Sequence, residues 1–194
     1  VQRLNHDFEQ AQAFGFTSGK SHSEEKDKAA RRIPINYGNQ PSIQTAYIFN
    51  AVGAPWLTQK WSRAVIDSVY STLSPQAGFN GDEDQGLMGS LSVLMKMGLF
   101  QLDGGVTENP IYQIGSPLFE KITIQLSDEY YSGETFIIEA RNNSTENIYI
   151  QSIRLNGKKL DRTYLTHEEI ISGGKLVLEM GNKANFSLVG IKNH

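Results

Sequence analysis

The sequence contains no cysteine, which excludes disulfide bonds and thiolate metal sites. It also has no apolar run near the roughly 18 residues that a membrane-spanning helix needs. The formal net charge is -3, so it lacks the basic excess that is typical of nucleic-acid-binding proteins. With 39% hydrophobic and 20% charged residues, the composition is that of an ordinary globular protein. We therefore predict no nucleic-acid partner and no membrane span.

The first residues carry no visible targeting signal. Residues 1–6, Val-Gln-Arg-Leu-Asn-His, lack the basic start and the apolar core of a signal peptide. The sequence also begins without methionine. From these features we expect a processed form or a fragment of a longer protein.

The first hundred residues follow a helical pattern. Apolar residues spaced by three and four predict helices within residues 1–16, 42–52, 55–73 and 87–99. Residues 17–32 are polar, carry both signs of charge and predict a solvated loop. The first half of the chain is therefore expected to be helical with one polar insertion.

A loop with two amide side chains precedes the second helix. Two prolines and a glycine within residues 33–41 exclude a helix there and favour an ordered loop. Ser42 is a suitable N-cap for the helix that follows. The loop thus brings Asn39 and Gln40 to a helix start, where amide oxygens can ligate a hard cation or bind a sugar hydroxyl. The simpler interpretation is a turn in which both side chains bond their own backbone.

Two tryptophans lie in the helix predicted over residues 55–73. Most apolar residues of this helix are expected in the core, but Trp56 or Trp61 could instead stack on a sugar ring. The methionines of the helix over residues 87–99 are better interpreted as core than as cofactor contacts.

Residues 81–86, Gly-Asp-Glu-Asp-Gln-Gly, place three carboxylates in a row directly before the helix over residues 87–99. A carboxylate at a helix start meets unpaired backbone N–H groups and the positive end of the helix dipole, and both favour its ionised form. Such a group can accept a proton from water or bind a cation. The simpler interpretation is that Asp84 only caps the helix.

From Gly104 onward the apolar period changes to two, which predicts strands. A change of parity after Ile150 predicts a bulge, and residues 156–157, Asn-Gly, predict a hairpin turn. Thr166 and Glu169 have the spacing of a capping box for a short helix. The second half is therefore expected to be mainly β-structure.

Helices followed by strands predict an α+β fold. Residues 1–103 are interpreted as hairpin-connected helices from part of an (α/α)6 toroid, and residues 104–194 as a small antiparallel β-sandwich. Three or four helices cannot close a toroid, so the sequence is expected to be incomplete.

Several motifs in order resemble glycoside hydrolase family 92. The resemblance runs from about Ile35 to Asn185, and its specificity comes from the order and spacing of the motifs together. They are Tyr-Gly-Asn-Gln-Pro-Ser at 37–42, Gly-Ala-Pro-Trp at 53–56 with Thr-Gln at 58–59, the acidic stretch at 81–86, Tyr-Gln-Ile-Gly-Ser-Pro-Leu-Phe-Glu-Lys at 112–121, Asn-Asn-Ser-Thr-Glu-Asn-Ile-Tyr-Ile-Gln at 142–151 and Thr-His-Glu-Glu at 166–169.

This resemblance implies an exo-acting, calcium-dependent α-mannosidase that hydrolyses mannose-containing glycans with inversion. Many members of the family are α-1,2-specific, and the same linkage is expected here. It implies an N-terminal β-sandwich, an (α/α)6 barrel and closing β-strands, so the rest of the same polypeptide is the expected partner. Inversion needs a protonated acid and a basic carboxylate roughly 6.5–9.5 Å apart. The habit of the family implies a bacterial exported enzyme, either periplasmic or extracellular, that degrades N-glycans.

Carried onto this sequence, the resemblance places the base at Asp84 as first choice and Asp82 as second, with both orienting one water. The other implied positions are Glu83, Gln40 and Trp56 for the substrate, and Asn39 with Gln40 for Ca²⁺. In the family the general acid is a Glu in a Glu-Gly-Asn-Ala-Trp-Gln-Tyr motif. That motif is absent here, so the acid is expected upstream of Val1 and the chain alone is expected to be inactive.

One position departs from the family pattern. Many members carry Glu where this chain has Gln40, often followed by His-His where this chain has Ile43 and Gln44. The change removes a formal charge near the metal and the sugar. The implied role of calcium is to bind two mannose hydroxyls and favour a distorted ring on the path to the oxocarbenium-like transition state.

Two other interpretations remain open. A non-catalytic carbohydrate-binding β-sandwich protein would need only the β-rich half and an exposed Trp56 or Trp61. Alternatively, the β-rich half only braces the barrel, because it contains no cluster of titratable groups. The upstream Glu-bearing motif distinguishes the catalytic from the binding interpretation.

Overall fold

A computed structural model describes residues 1–17, 33–71 and 83–188 of the chain. The predicted polar loop over residues 17–32 lies, apart from Thr17, outside the described residues. The same holds for Gly81 and Asp82 of the acidic stretch, and therefore for the second choice of catalytic base.

The described residues form helices first and strands afterwards, as an α+β fold requires. The helices are α1 Gln2–Gln12, α2 Thr45–Ala51, α3 Pro55–Val69, α4 Leu87–Met97 and α5 His167–Ile171, with a 3-10 helix at Gln40–Ser42. The strands are β1 Leu99–Phe100, β2 Ile111–Ile114, β3 Lys121–Gln125, β4 Thr135–Arg141, β5 Tyr149–Leu155, β6 Lys158–Lys159, β7 Tyr164–Thr166 and β8 Gly174–Gly181. None of the described helices is long and apolar enough to cross a membrane.

Helix α2 begins later than predicted, so Ser42 is not its N-cap. Ser42 ends the 3-10 helix, and its hydroxyl oxygen accepts a hydrogen bond from the backbone N–H of Asn36 at 3.0 Å. The first turn of α2 is capped instead by the phenol oxygen of Tyr37, which accepts from the N–H of Ala46 at 2.9 Å. The cap of α2 thus comes from Tyr37 in the preceding loop and not, as the sequence predicts, from Ser42.

Strand pairing departs from the antiparallel prediction in one place. A three-stranded sheet has the order β1-β2-β7, and a five-stranded sheet has the order β3-β4-β8-β5-β6. Every pair is antiparallel except β4 with β8, which run parallel. The chain passes through β5, β6, β7 and α5 between these strands, and this long crossover allows β8 to run in the same direction as β4.

Three local predictions in the β-rich half are confirmed. The β5–β8 ladder shifts register between Ile150 and Ser152, which is the predicted bulge. Asn156 and Gly157 both have positive φ in the turn between β5 and β6, as a two-residue hairpin requires. Thr166 and Glu169 form a capping box at the start of α5.

Two hydrophobic clusters organise the packing. The helices pack around fully buried aromatic residues, among which Trp61 stacks on Phe8 with ring centroids 5.1 Å apart. Because Trp61 is fully buried and its indole N–H donates to Asn5, the alternative that Trp61 stacks on a sugar is wrong. Residues of both sheets share the second cluster, which includes Ile114, Phe136, Ile153 and Leu176.

Buried polar side chains join the helices to the sheets. Asn50 of α2 donates to the carbonyl oxygen of Ile114 at 3.0 Å, and Gln59 of α3 accepts from the N–H of Ile150 at 3.0 Å, beside the bulge. The division into residues 1–103 and 104–194 stays a prediction, and its boundary falls between β1 and β2 of one sheet.

Candidate active site

The acidic turn, defined here as residues 83–86, has an unusual backbone. Asp84, Gln85 and Gly86 have φ values of 54°, 60° and 92°, so three consecutive residues are left-handed. Non-glycine residues in this region are disfavoured, and such strained backbone is concentrated at functional sites. The local conformation therefore supports the choice of this turn as a candidate site.

Asp84 does not cap α4. The N-cap is Gly86, without a side-chain cap hydrogen bond, and Glu83 Oε1 accepts from the N–H of Gly89 at 3.3 Å. One carboxylate oxygen of the half-buried Asp84, Oδ2, is buried and has no hydrogen-bond partner among the described residues. Buried polar atoms are normally paired, so this oxygen needs an explanation. A carboxylate oxygen with free lone pairs can accept a proton from water or bind a cation.

The amide loop, defined here as residues 33–42, is ordered by its own polar groups. Asn36 Oδ1 accepts from the N–H of Gly38 at 2.9 Å, and Asn39 Oδ1 accepts from the N–H of Gln40 at 2.8 Å. The self-bonded turn is therefore correct for Asn39. Both Asn39 and Gln40 are nevertheless exposed, and an amide oxygen has a second lone pair for another partner.

Tyr70, directly after α3, lies between the amide loop and the acidic turn. Its hydroxyl donates to the carbonyl oxygen of Tyr37 at 2.8 Å. Burial raises the pKa of Tyr70, and electrostatic interactions with Tyr37 and Glu83 raise this pKa further. Glu83 is therefore close enough to Tyr70 to affect its pKa.

The first turn of α3 holds Trp56, at the other end of the helix. Trp56 is half-buried, and its ring meets the ring of Phe186 edge-on at a centroid distance of 4.9 Å. At about 1.5 Å rise per residue, about 21 Å of helix separates Trp56 from Tyr70. The structure thus does not bring Trp56 to the acidic turn, and its contact with a sugar stays a prediction.

The oxygen donors of these two segments fit calcium in type. Amide and carboxylate oxygens are hard ligands, and calcium takes about six to eight of them. Among the described residues there is no group of three or more His, Asp or Glu that could hold a metal ion by itself. Asn39 and Gln40 would therefore share the ion with other oxygens, such as water and sugar hydroxyls.

Sequence reasoning missed Tyr37 and Tyr70, which are both fully buried. Burial also raises the pKa of Tyr37 to about 12, so it stays a neutral phenol at physiological pH. The only signal in the sequence is chemical: a buried tyrosine usually needs a partner for its hydroxyl. Nothing in the periodicity indicates that these partners join the two site segments.

Comparisons with known proteins agree on one family. The model of the glycosyl hydrolase family 92 catalytic domain matches residues 1–182. An uncharacterised secreted glycosidase of Arthroderma benhamiae is 33% identical over 148 residues, which cover 75% of this chain and 18% of that protein.

Two solved structures from Bacteroides thetaiotaomicron are similar. A family GH92 α-mannosidase in complex with mannoimidazole has a TM-score of 0.75 at 28% identity, covering 96% of this chain and 23% of its own. A family GH92 inverting mannosidase has a TM-score of 0.72 at 30% identity, covering 95% of this chain and 25% of its own. The chain thus spans between 18% and 25% of the length of these relatives.

Proposed function

Because the chain belongs to glycoside hydrolase family 92, we propose that the protein containing it is an exo-α-mannosidase that hydrolyses α-1,2-linked mannose with inversion. The observation that carries this proposal is the buried Oδ2 of Asp84, which lies in a strained turn and has no hydrogen-bond partner in the part of the chain that the structure describes. The similar structures support it, since one is an inverting mannosidase and another binds mannoimidazole. Export from the cell is proposed with it, because one relative is a secreted glycosidase.

In this mechanism Asp84 is the general base. Its carboxylate accepts a proton from the water that attacks the anomeric carbon, and Asp82 helps to orient that water. A protonated acid on the opposite face donates to the leaving oxygen, at roughly 6.5–9.5 Å from the base. We assign that acid to a part of the natural protein outside this sequence, because the family motif that carries it does not occur here.

On the amide loop, Asn39 and Gln40 would hold Ca²⁺ through their amide oxygens. When bound, the ion supplies Lewis-acid contact to two mannose hydroxyls and favours a distorted sugar ring. Gln40 and Glu83 lie exposed on the amide loop and the acidic turn, where they can bond further hydroxyls of the substrate.

The test is hydrolysis of α-1,2-mannobiose by the full natural protein and its Asp84→Asn variant, with proton NMR of the first anomer released. We expect β-mannose from the natural protein and a loss in kcat of roughly 10²–10⁴-fold in the variant, the contribution typical of a general base. Asparagine cannot accept the proton, which explains the loss in kcat. Because it has the same shape as aspartate, folding should be unchanged.

Asp128→Asn is the matched control, because Asp128 is an exposed acid in the turn after β3. Near-normal turnover by Asp84→Asn would remove the base assignment, and release of α-mannose would remove inversion. In the same assay a chelator should lower activity and added calcium restore it; indifference to the chelator would exclude the metal. Sugar binding without turnover by the natural protein would favour a carbohydrate-binding role.

A further inference from the structure

Tyr70 is hydrogen-bonded to two elements and interacts electrostatically with a third. Its side chain is fully buried, and its hydroxyl donates to the carbonyl oxygen of Tyr37 in the amide loop at 2.8 Å. Its own carbonyl oxygen accepts from Lys96 Nζ of α4 at 2.9 Å. Glu83, in the acidic turn before α4, is the third neighbour.

The contact to Tyr37 reaches the whole amide loop. The backbone N–H of Tyr37 donates to the carbonyl oxygen of Phe16 at 2.7 Å, and its phenol oxygen caps α2 at Ala46. Tyr37 also lies two residues before Asn39. The position of Asn39 and Gln40 is thus set by a residue that Tyr70 holds in place.

The contact from Lys96 acts on α4, the helix that follows the acidic turn. Lys96 lies in the last turn of α4, and the first turn of the same helix follows the acidic turn. The carbonyl oxygen of Tyr70, past the end of α3, is one of the groups that a helix end leaves unpaired. The ammonium of Lys96 satisfies it and so fixes α4 against α3.

We infer that Tyr70 is a positioning residue that joins the amide loop to α4, the helix that follows the acidic turn, through its hydroxyl on one side and its carbonyl oxygen on the other. This inference rests on the proposed function for its effect on catalysis, but the geometric link itself does not. Tyr70 does not touch the reacting atoms in this proposal. It sets the distance between the residues that bind the sugar and the carboxylate that activates water.

The test uses amide hydrogen exchange in the full natural protein. Tyr70→Phe removes the hydroxyl and keeps the ring, so exchange should become faster at residues 36–43 and stay unchanged at residues 83–90. Lys96→Met removes the contact that holds α4 against the end of α3, so exchange should become faster along α4 and stay unchanged at residues 36–43. The two variants thus have opposite expected patterns, and either one is informative if the other fails to fold.

Tyr47→Phe is the matched control. Tyr47 is fully buried in the same cluster, but its hydroxyl has no hydrogen-bond partner among the described residues. Tyr47→Phe also removes one hydroxyl from the core, but it breaks no hydrogen bond among the described residues. Amide exchange should therefore become faster neither in the amide loop nor in α4. A uniform increase in exchange in Tyr70→Phe, or a pattern equal to that of Tyr47→Phe, would overturn the positioning role.

The kinetic readout separates this inference from the proposed function. With mannobiose as substrate, Tyr70→Phe should raise KM by about five-fold, the scale of one lost hydrogen bond, whereas a merely less stable protein keeps its KM. An unchanged KM would overturn the effect on substrate binding. If Asp84→Asn keeps its activity while Tyr70→Phe shows the local exchange pattern, the base assignment fails and the link stands.

Discussion

Arg63 shows how a single buried side chain holds two parts of this chain together. It lies in α3, is only 4% exposed, and donates to the carbonyl oxygens of Pro117 and Ser144 and to Asn143 Oδ1. Burial lowers the pKa of Arg63, and the nearby Asp67 opposes this shift. The guanidinium therefore serves as a polar bridge from the helix to two loops of the β-rich half.

Replacing Arg63 with Met should destabilise the protein by about 2–4 kcal/mol, because three acceptors in the β-rich half lose a charged donor at once. Methionine keeps most of the volume, so the loss reports the hydrogen bonds rather than a cavity. Denaturant unfolding of the natural protein measures it. Arg154→Met is the control, since Arg154 is exposed and donates only to Gly157 among the described residues. Equal stability of the two variants would contradict the bridging role.

At the residue scale, the acidic stretch stays a predicted site, and the structure changes which of its acids contacts the helix start. Residues 81–86 were predicted at a helix start, where a carboxylate meets free N–H groups. The structure gives that contact to Glu83, whose Oε1 accepts from the N–H of Gly89, while residues 84–86 have a left-handed backbone. Backbone strain of this kind depends on tertiary contacts, so a local pattern cannot predict it.

Among the elements, the parallel pair β4–β8 carries a row of opposite charges. Glu139 of β4 bonds Arg141 two residues on, and also Lys175 of β8. Arg141 lies directly opposite Glu179 in the register and bonds it at 3.1 Å. The hydrogen bonds from Lys175 and Arg141 lower the pKa of Glu139 to about 2. This shift makes the pairing of the two strands sensitive to acid.

The sign of the pH dependence follows from the lowered pKa. Glu139 binds its proton at about 2 in the folded protein, against 4.5 as its ordinary value, so the unfolded chain takes up the proton first as pH falls. The stabilisation is complete above the ordinary value and disappears as pH falls towards about 2. Glu139→Gln should therefore flatten the decrease of the thermal midpoint between about pH 5 and about pH 2.5. Glu134→Gln, an exposed acid next to β4, is the control and should keep the slope of the natural protein.

Elements with local signals were predicted well, and those that depend on distant partners were not. The bulge at Ile150, the turn at Asn156 and the capping box at Thr166 each follow from neighbouring residues. The parallel direction of β8 beside β4 does not, because alternation of apolar residues specifies which face is buried and not which way the partner runs. The predicted start of α2 was also wrong, because its cap comes from Tyr37 and not from a residue next to the helix.

At the scale of the whole molecule, buried polar side chains join the described helices to the described sheets. Asn50, Gln59 and Arg63 each bond the backbone of the β-rich half from α2 or α3, and all three are buried. Breaking such contacts leaves unpaired polar groups, which is costly away from water. These contacts therefore contribute to the stability of α2 and α3.

The division of catalytic groups gives the last prediction. Inverting hydrolysis needs two carboxyl groups on opposite faces of the sugar, and Asp84 is assigned only the base. The family motif that carries the acid does not occur in these 194 residues. We therefore expect the full natural protein to hydrolyse α-1,2-mannobiose and the isolated 194-residue chain to show no turnover, even where circular dichroism shows it folded. Turnover by the isolated chain would mean that the acid lies within it, and the assignment of an external acid would then be wrong. If added mannobiose slows amide exchange of the amide loop in the inactive isolated chain, then sugar binding needs only residues of this chain.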